Sequence, residues 1–352
     1  KPLVPFIRAT QDRVVLEIQR GCIRGCRFCQ AGQIYKPVRE RDVDFLKEMA
    51  VAMLKNTGHE EISLSSLSSS DYSKLDELLE FLIETYHGKG VNVSLPSLRV
   101  DQFSLDVMSK VQDVRKSSLT FAPEAGSQRL RDVINKGLTE ENILNGCDLA
   151  FKGGWNKVKL YFMLGLPGET YDDIEGIAVL SDKIAREYYT IPKDQRNGKV
   201  SIVTSTSIFV PKPFTPFQWS PLCDVKTLKR RFKMLETAFK KAKHIQVQTE
   251  SLKETVLQAV LARGDRRIGA ALLEAFHREM PLKQVLKEQG LDIEELAAAA
   301  YEIGRPLPWQ HLDMGFTEAY LISEWQKAQR EEFTPMCFYL CRRCGVCGEA
   351  QV

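Results

Sequence analysis

The chain has 352 residues, of which 43% are hydrophobic and 27% are charged, and these proportions are typical of a globular protein. They exclude disordered and fibrous classes. The net charge is only +3, from 49 basic and 46 acidic residues, so the overall charge indicates neither a nucleic-acid nor a membrane partner. No apolar run approaches the roughly 18 residues of a membrane span. We expect a cytoplasmic protein without a membrane segment and, because residue 1 is not Met, a processed chain or part of a longer one.

Strands and helices alternate in the first part of the chain. Six strands are predicted, at 14–18, 61–67, 91–95, 118–121, 157–164 and 200–208. The stretches between them carry apolar residues at helical spacing, as in 72–86. Repetition in this order requires parallel strands joined by right-handed crossovers, and a closed barrel would need eight such units. We therefore predict an α/β fold, a partial (β/α)6 TIM-like barrel with a helical C-terminal region.

The pattern changes near residue 220. Residues 224–244 and 251–301 are predicted to be helical, with one short strand candidate at 245–248 between them. This change divides the chain into three predicted units: a barrel at 1–220, a helical region at 221–334 and a cysteine-rich tail at 335–352.

The cysteines indicate metal binding. Their number, nine, is odd for a set of disulfides, and seven of them fall into two tight groups. The first group, Cys22, Cys26 and Cys29, directly follows the first predicted strand, at the end where sites of parallel sheets collect. Three thiolates at this spacing can ligate three irons of a cubane cluster and leave the fourth iron open. Zinc with a remote fourth ligand is the alternative, although no second Cys or His pair follows at the usual distance.

The CxxxCxxC spacing, with Phe28 directly before the last cysteine, resembles the radical S-adenosylmethionine (SAM) superfamily. The resemblance extends over about residues 13–219, through segments similar to methylthiotransferase and cobalamin-associated branches at 35–42, 121–131, 163–170 and 209–217. In that superfamily a 4Fe–4S cluster binds SAM at its open iron and cleaves it reductively to a 5′-deoxyadenosyl radical. The usual Gly-Gly-Glu element after the second strand is absent, and a serine-rich run stands in its place.

The resemblance implies a SAM site at the strand ends. It assigns Glu124, after the fourth strand, to the SAM ribose, and the loop glycines Gly165 and Gly168 to close backbone approach. The other implied SAM contacts are Phe28, Ser66, Ser68, Ser127 and Val210. No catalytic residue is assigned beyond the cluster ligands. Taken without the resemblance, Glu124 is an acid at a helix entry, and the glycines and serines are turn residues.

The second cysteine group lies at the C-terminus and contains Cys337, Cys341, Cys344 and Cys347. Its density resembles a ferredoxin-type run, so it predicts a second iron–sulfur cluster, of the 4Fe–4S type, separate from the first. All four thiolates could ligate it, or three could ligate and leave one iron open. Zinc is the alternative for this spacing.

The tail also resembles an uncharacterised radical SAM family in which a cobalamin-binding-like domain precedes the barrel. No Asp-x-His-x-x-Gly motif, the usual source of the lower cobalamin ligand, occurs in the chain. Cobalamin would therefore need a domain upstream of these residues.

Residues 226–243 carry eight Lys or Arg and one acid on a predicted helix. Such a helix could contact RNA phosphates, or it could be a solvated face with Phe232, Leu235 and Phe239 packing inward. We predict a radical SAM enzyme whose partners are SAM, an unidentified substrate, a reductant such as flavodoxin or ferredoxin and, through this helix, RNA. Methyl transfer and methylthio transfer are the nearest analogies for its reaction. The alternative is a non-catalytic iron–sulfur or zinc protein that binds RNA on the same scaffold.

Overall fold

The structure, a computed structural model, describes residues 2–7, 9–95, 99–102, 119–240, 242, 245–338 and 341–348. Nine strands lie in these residues: β1 (Val14–Glu17), β2 (Gln19–Arg20), β3 (Arg39–Glu40), β4 (Glu61–Ser65), β5 (Asn92–Ser94), β6 (Leu119–Glu124), β7 (Lys157–Leu164), β8 (Ser201–Ile208) and β9 (Ile245–Thr249). Seven of them form two parallel sheets, in the orders β1-β4-β5 and β6-β7-β8-β9. The short strands β2 and β3 pair antiparallel beside the first sheet.

Twelve α-helices lie in the same described ranges: α1 (Gln30–Ile34), α2 (Val43–Thr57), α3 (Leu75–Tyr86), α4 (Gln128–Val133), α5 (Glu140–Lys152), α6 (Tyr171–Thr190), α7 (Val225–Phe239), α8 (Leu252–Arg263), α9 (Arg266–His277), α10 (Leu282–Glu288), α11 (Ile293–Ala298) and α12 (Glu318–Gln329). Thr139 and Thr170 begin α5 and α6 with capping boxes, in which each hydroxyl and an acid or amide three residues on satisfy free backbone N–H groups. Within the described ranges, no helix combines the length and the apolar character needed to cross a membrane.

The predicted α/β fold with parallel strands is confirmed. Each of the six predicted strands forms, although residue 118 of the fourth lies outside the described residues. The strand candidate at 245–248 becomes β9, which pairs in parallel with β8 so that Ile202 lies opposite Ile245. The second sheet therefore continues beyond residue 220, and the division into three units stays a prediction.

Each parallel sheet buries one face under helices. On β7 and β8 the buried side chains alternate, and those of Leu160, Phe162 and Ile202 pack in one apolar cluster with Ile177 and Ile184 of α6. The opposite face of the same strands carries partly exposed residues. Among the described residues, helices cover only the first of these two faces, so the inner face of the partial barrel is open there beside the strand ends.

The loop after β6 lies directly on α6. A Cβ atom on Gly126 would come within 2.2 Å of the backbone nitrogen of Ile177 and 2.5 Å of the carbonyl oxygen of Asp173. Only glycine leaves room for this approach, because both of the obstructing atoms belong to helix backbone. The contact fixes the end of β6 relative to the next helix.

We predict that Gly126→Ala lowers the free energy of unfolding by about 2 kcal/mol or more, because neither backbone can move away cheaply. Urea unfolding of the purified protein measures the change. Gly269→Ala is the matched control, since Gly269 lies in α9 with open space around its Cβ position. In this helix, alanine should raise the free energy of unfolding by about 0.5–1 kcal/mol. Equal effects of the two substitutions would contradict the close approach.

Candidate functional site

The first cysteine group lies in the loop that follows β1 and β2, at the carboxyl end of the first strand. Cys22, Cys26 and Cys29 are each partly exposed and none forms a disulfide. Cys29 begins α1, where its Sγ accepts a hydrogen bond from the backbone N–H of Gly32 at 3.3 Å. The backbone N–H of Arg24 donates in the same way to the Cys22 sulfur. Backbone amides aimed at cysteine sulfurs are a recurrent feature of iron–sulfur sites.

The donor set fits a cubane cluster. Burial raises the pKa of Cys22 to about 11 and also raises the pKa of Cys29, and in both cases the neighbouring thiols of the loop add to the rise. These thiols therefore become ligands only when a metal displaces their protons. In the described part of the chain, no three His, Cys, Asp or Glu side chains converge on one metal ion. A cubane spreads its ligands over separate irons and does not require such convergence.

The serine-rich run after β4 supports the cysteine loop. The guanidinium of Arg24 donates to Asp71 at 2.9 Å, and the Ser68 hydroxyl donates to the same carboxylate at 2.7 Å. The Ser68 carbonyl accepts a hydrogen bond from the Gln19 amide at 2.6 Å. Ser66 lies earlier in the run, directly after β4, with its hydroxyl 3.0 Å from that of Ser69. These bonds orient the loop, and the contacts of Ser66 and Ser68 with SAM stay predictions.

Glu124 lies at the end of β6, and a partly buried lysine, Lys136, lies between it and the cysteine loop. Its carboxylate accepts a hydrogen bond from Lys136 Nζ at 3.2 Å, and the same ammonium lies 6.0 Å from the centre of the Phe28 ring. Glu124 adopts a left-handed backbone conformation, with φ of 69°, which is costly for a non-glycine residue and is concentrated at functional sites. The structure thus brings Phe28, Glu124 and the cysteines together.

Lys136 is the residue of this site that sequence reasoning missed. Burial opposes its charged form, but Glu124 and Cys26 outweigh burial and raise the pKa of Lys136, so the ammonium stays charged. It lies between Asn135 and Gly137, which both have positive φ. The sequence Asn-Lys-Gly after α4 signals a tight turn. Nothing local to that turn indicates that the lysine side chain returns to the cysteine loop.

Ser127, Gly165 and Gly168 all lie in loops at the strand ends. The Ser127 hydroxyl begins α4 by accepting from the backbone N–H of Leu130 at 3.1 Å, and it donates to Asp173. Gly165 and Gly168 have φ of 85° and 74°, so both positions favour glycine for backbone reasons. Their contacts with SAM stay predictions.

Val210 has different surroundings. Its side chain is buried in the apolar cluster that joins the end of β8 to the C-terminal helices, together with Ile208, Leu228 and Val256. The described contacts do not bring it to the cysteine loop, and its predicted contact with SAM is untested.

The loop between Gly165 and α6 contains a buried ion pair. Glu169 accepts from the backbone N–H of Gly165 at 2.9 Å, and its carboxylate lies 2.7 Å from Arg231 of α7. Burial raises the pKa of Glu169 to about 7, and the guanidinium of Arg231 limits the rise. Arg231 was predicted to be part of an RNA-binding face. Its contact with Glu169 corrects that prediction, because the guanidinium is committed to an internal carboxylate.

The second cysteine group lies beside α12. Cys341 and Cys344 are buried, and Cys344 packs with Trp219, Trp309 and Tyr320. Burial would raise the pKa of Cys341, but the Arg343 guanidinium at 3.2 Å, the Arg343 backbone N–H and Cys337 together outweigh burial and lower the pKa. A thiolate paired with a guanidinium is well suited to ligate metal.

The remaining two cysteines are more accessible. Cys347 is exposed, and Cys337 is partly exposed. Burial and the neighbouring Cys341 raise the pKa of Cys337 to about 11.

The two cysteine groups meet in space. The backbone N–H of Cys337 donates to the carbonyl oxygen of Ile23, the residue after Cys22, at 2.8 Å. Backbone dimensions then put the Cα atoms of Cys22 and Cys337 within about 10 Å of each other. The two groups were predicted to be separate sites, whereas the structure brings them into contact.

A family model described as "Radical SAM superfamily" matches residues 16–180. This range begins in β1, includes the cysteine loop and Glu124, and ends within α6. The cysteine spacing and this match define residues 16–180 as one class of domain, the radical SAM domain. These residues belong to the radical SAM superfamily.

Three curated relatives come from archaea. An uncharacterised protein of Methanocaldococcus jannaschii is 40% identical over 258 residues, which are 73% of this chain and 53% of that protein. A second protein of this archaeon, provisionally named a methylthiotransferase, is 31% identical over 49% of this chain and 40% of its own length. An uncharacterised methyltransferase of Pyrococcus horikoshii is 25% identical over 53% of this chain and 41% of its own length. The chain thus spans about half the length, or less, of these relatives.

Solved structures with some likeness to the chain include SuiB of Streptococcus suis, bound to its precursor peptide SuiA. It has a TM-score of 0.44 at 12% identity, over 71% of this chain and 51% of SuiB. The radical SAM methyltransferase TsrM of Kitasatospora setae, with cobalamin and a 4Fe–4S cluster bound, has a TM-score of 0.45 at 13% identity, over 59% of this chain and 38% of TsrM.

We predict that Glu169 makes stability depend on pH. The folded state holds the proton of this carboxyl more tightly than the unfolded state, since burial raises the pKa from its ordinary value of 4.5 to about 7 in the fold. The stabilisation is complete below pH 4.5 and is lost as the pH rises through 7. Between pH 8 and pH 5.5, the free energy of unfolding of the wild type should therefore rise by about 1–2 kcal/mol relative to Glu169→Gln. Urea unfolding at both pH values measures this difference, and a constant difference would contradict the shift.

Proposed function

We propose that the protein is a radical SAM enzyme that takes a hydrogen atom from a substrate as part of a methyl or methylthio transfer. When bound by Cys22, Cys26 and Cys29, a 4Fe–4S cluster supplies the electron that cleaves SAM to methionine and a 5′-deoxyadenosyl radical. The observation that carries the proposal is the CxxxCxxC loop at the carboxyl end of β1, inside the range that matches the superfamily. The names of two relatives support the choice of methyl or methylthio transfer.

The chain's own residues bind and orient SAM in this proposal. Glu124 accepts hydrogen bonds from the ribose, and the bond from Lys136 holds its carboxylate in place. An ammonium has three N–H donors, so Lys136 can also bind a negatively charged group such as the SAM carboxylate. Phe28 covers the same ammonium with its ring and limits the access of water. The backbone at Gly165 and Gly168 leaves room for close contact with the cofactor.

The polar side chains on the open inner face of the barrel favour a polar substrate in this proposal. Tyr161 of β7 and Ser205 of β8 are partners in the strand register, and Gln248 of β9 lies opposite Ser205. Lys159 lies on the same face, with its ammonium 4.7 Å from the centre of the Tyr161 ring. Hydroxyl, amide and ammonium groups in adjacent positions can bind hydrogen-bonding groups of a substrate.

The C-terminal cysteines form a second 4Fe–4S centre in this proposal. Arg343 supports the assignment, because a guanidinium on a cysteine sulfur offsets the negative charge of such a cluster. A flavodoxin or ferredoxin would supply the electrons, and a cobalamin would require an upstream domain.

We predict that Cys26→Ala abolishes SAM cleavage, because one iron loses its protein ligand. The measurement is the yield of 5′-deoxyadenosine from anaerobically reconstituted, reduced protein, with iron content determined in parallel. Cys147→Ala is the control, since Cys147 is a buried cysteine of α5 that lies outside both groups. It should keep both iron and activity.

Three outcomes separate the functions considered for the chain. Absence of 5′-deoxyadenosine from the iron-loaded wild type would favour the non-catalytic binder. Zinc in place of iron in an anaerobically purified protein would overturn the cluster assignment. Full activity of Cys26→Ala would show that this loop does not hold the catalytic cluster.

RNA is a proposed partner of the exposed side of α7. Leu235 and Phe239 are buried and Phe232 is partly buried, as predicted, while the exposed cations are Lys226, Lys229, Arg230, Lys233 and Lys240. Residues 241, 243 and 244 of the predicted helix lie outside the described residues. A row of exposed cations on one helix supports contact with phosphates.

We predict that the double substitution Lys229→Glu/Lys233→Glu weakens RNA binding and makes it less dependent on salt. The slope of log K against log salt concentration should become shallower by about 0.9 for each phosphate contact that is lost. Filter binding over a series of salt concentrations measures both changes. Lys55→Glu/Lys287→Glu reverses two exposed charges on α2 and near the end of α10 and should leave RNA binding unchanged. Binding that does not depend on salt, or equal losses in the two variants, would exclude α7 as the RNA site.

A further inference from the structure

Arg27 connects the first cysteine loop to the C-terminal part of the chain. Its side chain is fully buried and leads away from the loop. All five guanidinium N–H groups have acceptors, which are Glu324 Oε2 at 3.1 Å, the carbonyl oxygens of Asp132 at 3.0 Å, Val133 at 2.9 Å and Glu332 at 2.7 Å, and Thr334 Oγ1 at 3.2 Å. One residue of the loop thus fixes α4, α12 and the segment before the second cysteine group relative to one another.

A second set of bonds joins the same segment to the loop. We call residues 331–337 the tail strap. The Asn135 side chain forms two hydrogen bonds with the backbone of Thr334, accepting from its N–H at 2.8 Å and donating to its carbonyl oxygen at 3.1 Å. The same amide also donates to the carbonyl oxygen of Gly25 at 3.0 Å. The N–H of Cys337 donates to Ile23 at the end of the strap. The strap is therefore linked to the loop at three points between Cys22 and Cys29, directly at Ile23 and Arg27 and through Asn135 at Gly25.

Glu324 completes the arrangement. Its carboxylate pairs with Arg27, accepts from the Thr334 hydroxyl at 2.8 Å and accepts from Lys327 at 3.0 Å. It is 2% exposed, so this charge has almost no contact with water and depends on these partners. A buried network of this kind tolerates few alternative geometries, because each displaced group would leave an unsatisfied charge or donor. Displacement of the strap would thus disturb the loop.

We propose that Arg27 is a positioning residue that couples the two cysteine groups. Metal bound by the second group fixes the tail strap, and the strap, through Arg27, Asn135 and Ile23, holds the first cysteine loop in the geometry that binds its own cluster. The inference rests on the second metal centre of the proposed function and adds that the centre acts on the SAM-cluster loop through the protein. The coupling needs no electron transfer between the centres.

The test isolates the effect of the second group on the first loop. In the full chain, Cys22, Cys26 and Cys29 are replaced by Ala, so that iron and sulfide can load only the C-terminal group. Hydrogen exchange of the peptide that covers residues 22–29 is then measured by mass spectrometry, with and without iron. We expect iron at the second group to slow exchange in this peptide by about fivefold or more, at the lower end of typical couplings between linked sites.

Arg27→Gln in the same background should load as much iron but lose the response of the 22–29 peptide. Arg263→Gln is the matched control, because Arg263 is also a buried arginine and donates to the carbonyls of Ala297 and Ala299, away from both cysteine groups. It should keep the response. A merely structural role of Arg27 would change the exchange rate equally with and without iron, whereas a positioning role removes the difference between the two states.

Thr334→Val gives a second variant in case Arg27→Gln does not fold. It removes the hydroxyl between Arg27 and Glu324 while nearly preserving the side-chain volume, and it should reduce the iron response. A full response in Arg27→Gln or in Thr334→Val would overturn the coupling. Iron that loads without any change in the wild-type peptide would also overturn it and would leave the second metal centre intact. Failure of the C-terminal group to bind iron would instead overturn the centre on which the inference rests.

Discussion

Parallel strands end at one edge of a sheet, and the candidate site of this protein depends on that constraint. Leu16 of β1 lies opposite Leu64 of β4, and Leu164 of β7 opposite Ile208 of β8, so strand ends that are far apart in sequence come together in space. The site residues lie at such strand ends. They are the cysteine loop after β1 and β2, Glu124 at the end of β6, and the loop with Gly165 and Gly168 after β7. Where the structure describes the chain, helices cover only the outer face, so the strand ends and the inner face are open there for ligands.

Charge is distributed around the cysteines in a consistent way. Three cations lie near the two cysteine groups, and each donates a hydrogen bond to a named partner. The partners are Asp71 for Arg24, Glu124 for Lys136 and the sulfur of Cys341 for Arg343. An iron–sulfur cluster with thiolate ligands carries negative charge, and fixed cations near it lower the cost of holding that charge in a partly buried place. The same cations need carboxylates such as Asp71 and Glu124 when they are buried, which explains why acids and bases alternate around the loop.

The strands and the position of the cysteine loop after the first strand could be predicted from the sequence, because both depend on local patterns. The strand β9 was a candidate, but its place beside β8 in the second sheet could not be predicted, since the pairing depends on the path of the chain through α7. The contacts of Lys136 and Arg27 could not be predicted from the sequence for a similar reason. The partner Glu324 of Arg27 is 297 residues away in sequence, and no periodicity or spacing encodes a contact at that distance. Arg231 likewise could not be distinguished by sequence from the exposed cations of α7, because its ion pair with Glu169 depends on the fold.

The contact between the tail strap and the first cysteine loop has a consequence for synthesis. A ribosome that adds about 5–20 residues per second needs roughly 15 to 60 s to travel from Arg27 to its partner Glu324. During that interval the nascent barrel exposes three thiols and an unpaired guanidinium, so the loop depends on the cell to keep it reduced and free of unsuitable metals. If the strap holds the loop as proposed, the first cysteine loop reaches its final geometry only after α12 has been translated.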